Sequence, residues 1–157
     1  MTIDSHSIPA SRVDTALLIL RVVLGIVFLA HGYQKLFTYR FAGVTGAFTQ
    51  MGIPVPGITG PFIALLEFCG GVALIVGFLT RLAALGIALE MLGALVTVHI
   101  KNGFFLPTGI EYAMSLLGVS MAVTLAGAGD FSIDSLIARR RGDVVVASTG
   151  ATNDRGQ

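Results

Sequence analysis

Glu67 and Glu90 are the residues whose placement calls for chemistry. Each stands alone among apolar neighbours, Glu67 in PFIALLEFCGGVALIVGFL (61–79) and Glu90 in LAALGIALEMLGALVTVHI (82–100). Both segments approach the roughly 20 apolar residues needed to cross a bilayer. A carboxylate inside such a span costs about 2.5–3.5 kcal/mol on insertion scales, so it normally faces a protein interior and has a partner. Arg21, His31 and His99 lie within or at the ends of apolar segments as well. A histidine near carboxylates can carry protons near neutral pH. It can also donate a hydrogen bond to a quinone carbonyl, or ligate a metal. The metal has the least support, because no segment carries two ligands at i, i+3 or i+4.

Composition points the same way. The chain is 54% hydrophobic and only 12% charged, where soluble domains carry about 25% charged residues. Its net charge of +1 gives nucleic-acid binding no electrostatic support. The single cysteine, Cys69, excludes an intramolecular disulfide. It lies in an apolar run and reads as a buried, inert thiol. The sequence has no phosphate-binding loop, no nucleotide-binding glycine fingerprint and no zinc pattern.

The elements that must position these groups are helices that cross a membrane. Residues 1–14 form a polar tail, expected to be disordered. A first, uncleaved span runs from about Thr15 to Leu36, interrupted only by Arg21. The two glutamate-bearing segments are the second and third spans, and about Ile110 to Gly127 is the fourth. The expected fold is an all-α integral membrane four-helix bundle over residues 15–134. A basic, flexible tail over 135–157 follows it. Between the first two spans, Phe41, Val44, Phe48 and Met51 recur at helical spacing, which suits a short interfacial helix.

Basic residues give the orientation. Arg12, Arg81 and Arg139 to Arg141 fall on the side of both termini, against Lys35, Arg40 and Lys101 on the other. This bias puts both termini and the Thr80–Arg81 turn in the cytoplasm. With a rise of about 1.5 Å per residue, Arg21 lies roughly 9 Å and Glu90 roughly 12 Å from the cytoplasmic ends of their spans. Similar depth suits a buried ion pair between them, which would fix the packing. His31, Lys35, Glu67, His99, Lys101, Glu111 and Tyr112 converge toward the outer end as the candidate polar site, with Glu67 paired to His31, Lys35 or Arg21. Small residues at Ala73 and Gly77, and at Gly118, Ala122 and Ala126, suit close helix packing within one chain or, more sharply, a homo-oligomer contact.

The order of these residues resembles the DoxX family. The first-span pattern is Arg21-Val-Val-Leu-Gly25, Phe28, His31-Gly32 and Lys35-Leu36. Gly52-Ile-Pro54, Glu67, Gly70-Gly71, Leu74, Gly77 and Thr80-Arg81 are similar to its second span and turn. Gly103-Phe104, Gly109, Glu111-Tyr112, Gly127, Gly129-Asp130, Ser132 and Asp134 resemble its last span and exit. The resemblance covers Arg12 to Asp134 and implies a four-helix protein of the bacterial inner membrane. It carries over Arg21, His31, Lys35, Glu67, Arg81 and Glu111. Glu90 rests on the residue argument alone.

The resemblance associates the chain with thiosulfate oxidation that delivers electrons to quinone, with membrane complexes that counter oxidative stress, and with quinone detoxification. The sequence holds no evident electron carrier, so a redox role implies quinone or a partner protein. The first reading is a membrane subunit supporting a redox or quinone-linked process, an oxidoreductase subunit if it is an enzyme. The alternative is a non-enzymatic accessory or assembly subunit of a larger membrane complex. A small proton-coupled carrier ranks third, since no inverted repeat is evident.

Overall fold

The structure, a computed structural model, describes residues 9–141; the outer parts of both expected tails, 1–8 and 142–157, lie outside the described residues. The first helix, α1 (Ala10–Tyr33), continues through a wider π-helical stretch, Gln34–Tyr39, into α2 (Arg40–Gln50). A loop leads to α3 (Pro56–Val76), and a tight turn to α4 (Thr80–Ala94). The latter runs on through Leu95–His99 and Ile100–Asn102. Next comes α5 (Glu111–Ala126), and residues 133–141 form a last short helix, α6. Helix therefore begins at Ala10, not Thr15, and extends into the stretch read as a flexible tail after residue 134.

The helices through α1, α3 and α4 are long and apolar enough to cross a membrane, and α5 is a shorter apolar helix. At about 1.5 Å per residue its 16 residues span about 24 Å, short of a hydrocarbon core of about 30 Å. The protein is a multi-pass membrane protein built as a helical bundle. Neighbours pack in the order α1–α3–α4–α5, and α5 closes the ring against α1. The core between them holds Leu24, Phe28, Leu74, Ile87, Met91 and Val123. Large apolar side chains such as Phe62, Leu65, Leu82 and Leu89 point outward, as a lipid-facing surface requires.

The tightest packing joins α1 to α3. A Cβ on Gly71 would lie 2.5 Å from the Leu29 amide nitrogen, and one on Gly25 would lie 2.8 Å from the Gly71 carbonyl oxygen. Only glycine lets these backbones meet. Of the small residues singled out from sequence, Gly77 is buried in close contact with Arg21 and Ser132, but the row on α5 faces outward. Gly118 faces open space, and Ala122 and Ala126 are exposed. Cys69 is also exposed, on the outward side of α3, which corrects the expectation of a buried thiol. Four-residue spacing recurs on every face of a helix, so spacing alone could not say which face met a neighbour.

The expected short helix between the first two spans is α2. Val44 is buried against Gly60 of α3, while Phe41 and Met51 remain about half exposed. The chain turns into this helix at Arg40, whose φ of 56° and ψ of 170° belong to a region nearly reserved for glycine.

Candidate functional site

Arg21 and Glu90 are not paired. Arg21 is buried, and its Nη1 donates to the carbonyls of Leu74 (2.9 Å) and Ile75 (2.8 Å). Its Nη2 donates to the carbonyl of Phe131. The guanidinium thus caps the C-terminus of α3, where unpaired carbonyls and the negative end of the helix dipole favour a cation. Gly77, in the left-handed region at φ 72°, makes room for it, since a Cβ there would lie 2.7 Å from Nη1. Nearby, the carboxylate of Asp134 accepts from the amides of Leu79 and Thr80, both at 2.9 Å, and so caps the start of α4. Thr80 is fully buried, whereas Arg81 is exposed beside Gly127. The expectation of an Arg21–Glu90 pair failed on depth. The first turns of α1 extend past the end of α3, so Arg21 is level with Leu74 and Ile75, whereas Glu90 lies ten residues, about 15 Å, beyond the start of α4.

Glu90 belongs instead to a cavity at the opposite end of the bundle. The cavity has a volume of about 450 Å³, within the range of small-molecule pockets. Phe28, Ile63, Met91 and Leu116 form apolar walls, and Phe48, Met51 and Ile53 close it from the side of α2 and the following loop. Its ionisable groups are Lys35, Glu67 and Glu90, with His31, His99 and Tyr112 also on the lining.

The polar centre is an ion pair between spans. Lys35 Nζ donates to Glu67 Oε1, and of the alternatives open from sequence the partner is Lys35, not His31 or Arg21. The Glu67 side chain is 4% exposed and that of Lys35 22%, so the pair is well shielded from solvent on its carboxylate side. Glu90 lines the same cavity from α4, at nearly the depth of Glu67 on α3. The Oε2 atom of each glutamate is buried without a hydrogen-bond partner among the described residues.

The other candidates divide. His99 is held by a 2.9 Å hydrogen bond between its Nδ1 and the carbonyl of Thr108, and His31 is exposed at the cavity rim. Lys101 is exposed and Glu111 lies at the start of α5; neither lines the cavity. Glu111 Oε1 accepts from the amide of Leu106 at 2.6 Å, tying down the loop before α5. Its role is to order a connection. The residue misplaced from sequence, Glu90, did leave a signal. Glu67 and Glu90 stand almost equally far from the turn at Phe78, and in an antiparallel pair equal distance from the turn means equal depth.

The sequence profile of the DoxX family matches residues 16–100. The chain belongs to the DoxX family. A second profile, described as TQO small subunit DoxD, matches residues 60–150. The chain is 34% identical over 108 residues to the putative oxidoreductase CatD of Bacillus subtilis, covering 68% of this chain and 77% of that protein. It is 33% identical over 132 residues to the inner membrane protein YqjF of Escherichia coli, covering 81% and 95%. Against the uncharacterized membrane protein Rv3486 of Mycobacterium tuberculosis it is 30% identical over 132 residues, covering 77% and 80%. No solved structure matches. The DoxX match spans α1 through α4, and so includes Lys35, Glu67 and Glu90 together.

Proposed function

We propose that this DoxX-family protein binds a quinone or a similar ring compound and supports a redox process in the bacterial inner membrane, with both termini in the cytoplasm. The observation that carries this reading is the cavity, in which an apolar enclosure meets the Lys35–Glu67 pair, Glu90 and two histidines. An apolar ring suits the walls. A ring oxygen suits the ammonium of Lys35 or an imidazole, either of which can donate a hydrogen bond to it. The name of the CatD relative, putative oxidoreductase, supports a redox setting, and that of YqjF supports the inner membrane. The basic residues Arg12, Arg81 and Arg139 to Arg141 support the orientation.

The test is a spectroscopic titration of the purified protein with a ubiquinone or menaquinone analogue. Saturable binding is expected, weakened at least about tenfold in Glu67→Gln, a loss of about 1.4 kcal/mol. Absence of saturable binding, or identical binding by the variant, would count against this reading.

A second reading makes the chain an accessory or assembly subunit with membrane or redox partner proteins, or with further copies of itself. The word subunit in the DoxD description favours it. Gentle solubilisation followed by mass determination separates the two. Persistent co-purification with larger partners supports the accessory role, and an active homomeric species removes it.

A further inference from the structure

Glu67 and Glu90 face one cavity from adjacent antiparallel helices at nearly equal depth. Glu67 is 3% exposed, and both glutamates lie on the cavity wall. Lys35 satisfies Glu67 Oε1 and leaves Oε2 without a donor, and Glu90 Oε2 is likewise buried without one. Two ionised carboxylates offer acceptors only, so they cannot bond to each other. One proton between them turns two orphaned acceptors into a hydrogen bond. It also balances charge, because the pair then carries one negative charge against the one positive charge of Lys35. Among the described residues, the other titratable groups on the cavity are His31 of α1, His99 at the end of α4 and Tyr112 of α5.

We propose that Glu67 and Glu90 hold a single proton between them, and that this pair is the group through which the cavity gives a proton to, or takes one from, an oxygen of a bound ring. The exchange half of this inference rests on the quinone-linked reading above; the shared proton does not. In the giving direction the O–H bond of the carboxyl pair breaks and an O–H bond forms on a ring oxygen already made anionic by an electron from a redox partner protein. Two carboxylates remain, Lys35 balances one of them, and a proton from water restores the pair. His31, exposed and on the cavity lining, can relay that proton. No electron moves in this step.

Infrared difference spectroscopy of the ligand-free protein in a lipid nanodisc tests the shared proton. A carbonyl band of a protonated carboxyl is expected near neutral pH, shifted in heavy water. It should be lost in both Glu67→Gln and Glu90→Gln. Each variant keeps the shape of the site and supplies an amide donor to the remaining carboxylate, and its fold is checked by circular dichroism. No such band, or a band that survives both substitutions, overturns the inference. Electrochemical reduction of the bound quinone analogue to its quinol, with proton uptake followed by a pH indicator in a weakly buffered sample, tests the exchange. Uptake slowed at least about tenfold by Glu90→Gln supports it. Uptake at the same rate in the variant overturns it. If neither form binds, the quinone-linked reading and the exchange that rests on it both fail, and the infrared result alone decides the shared proton.

Discussion

Gly32 of α1 and Phe68 of α3 meet backbone to backbone: a Cβ on Gly32 would lie 2.3 Å from the Phe68 amide nitrogen. The contact sits beside the ion pair, since Lys35 follows Gly32 by three residues and Glu67 precedes Phe68. Two helices this close place a lysine and a glutamate of facing turns within reach of each other. The glycine is therefore part of what builds the polar centre. Gly32→Ala is expected to force the helices apart and to destabilise by about 1–3 kcal/mol or more, as overpacking does. Gly46→Ala on α2, where a Cβ meets nothing within 4 Å, should instead be neutral or stabilise by up to about 1 kcal/mol. Thermal melting in one detergent compares the two. Equal effects would show that close approach at Gly32 does not control the packing.

The Lys35–Glu67 pair predicts unequal costs for two glutamates. Glu67→Ala strands the Lys35 ammonium and leaves a gap at a buried site. Removing one member of a buried pair costs about 3–5 kcal/mol, and the partial exposure of Lys35 puts the expectation at the lower end. Glu111→Ala loses one hydrogen bond to a loop amide, about 1–2 kcal/mol. Melting curves of both variants should show the larger drop for Glu67, and similar drops would contradict its burial and pairing.

Arg21 predicts failure of a conservative change. Its guanidinium bonds three carbonyls on two separate segments, α3 and the stretch before α6. A lysine ammonium lacks the planar fork that reaches them together. Arg21→Lys should therefore destabilise by at least about 2 kcal/mol, given roughly 1.5–3 kcal/mol for a hydrogen bond to a charged group. Because Arg21 shares no partner with Glu90, the double variant Arg21→Lys/Glu90→Gln should be additive within about 0.5 kcal/mol. Strong coupling between the two sites would restore the ion pair that the structure rejects.

Asp134 ties the stretch after α5 to the start of α4. Asp134→Ala removes an N-cap and should cost about 1–2 kcal/mol, with Asp134→Asn recovering part of it. Hydrogen exchange at Leu79 and Thr80 should rise in the alanine variant. Unchanged exchange at these amides would mean the cap is not what holds the turn.

Thr97 lines the cavity from an exposed position on the continuation of α4, where its hydroxyl bonds only the Gly93 carbonyl of its own helix. Thr97→Trp should obstruct the cavity while changing stability by less than about 1 kcal/mol. Titration with the quinone analogue is expected to lose saturation in this variant, and undiminished binding would place the ligand elsewhere.

Hydropathy, chain length and isolated charges were enough to read the membrane-spanning helices, the short helix after the first span and the inward-facing Glu67. These depend on the cost of placing polar groups in hydrocarbon, which acts on each segment separately and so is written along the chain. The partners of Arg21 and Glu90 depended on where α1 begins and on how the helices are rotated against one another. Those are set by backbone contact at Gly25, Gly32 and Gly71, and glycines that touch a neighbour look in sequence like glycines that do not, as Gly118 illustrates. The cavity likewise formed only when α2 and the loop after it folded across α3, bringing Phe48, Met51 and Ile53 over the Lys35–Glu67–Glu90 centre. Distance from the turn gives the two glutamates a common depth, but only packing turned both toward one cavity.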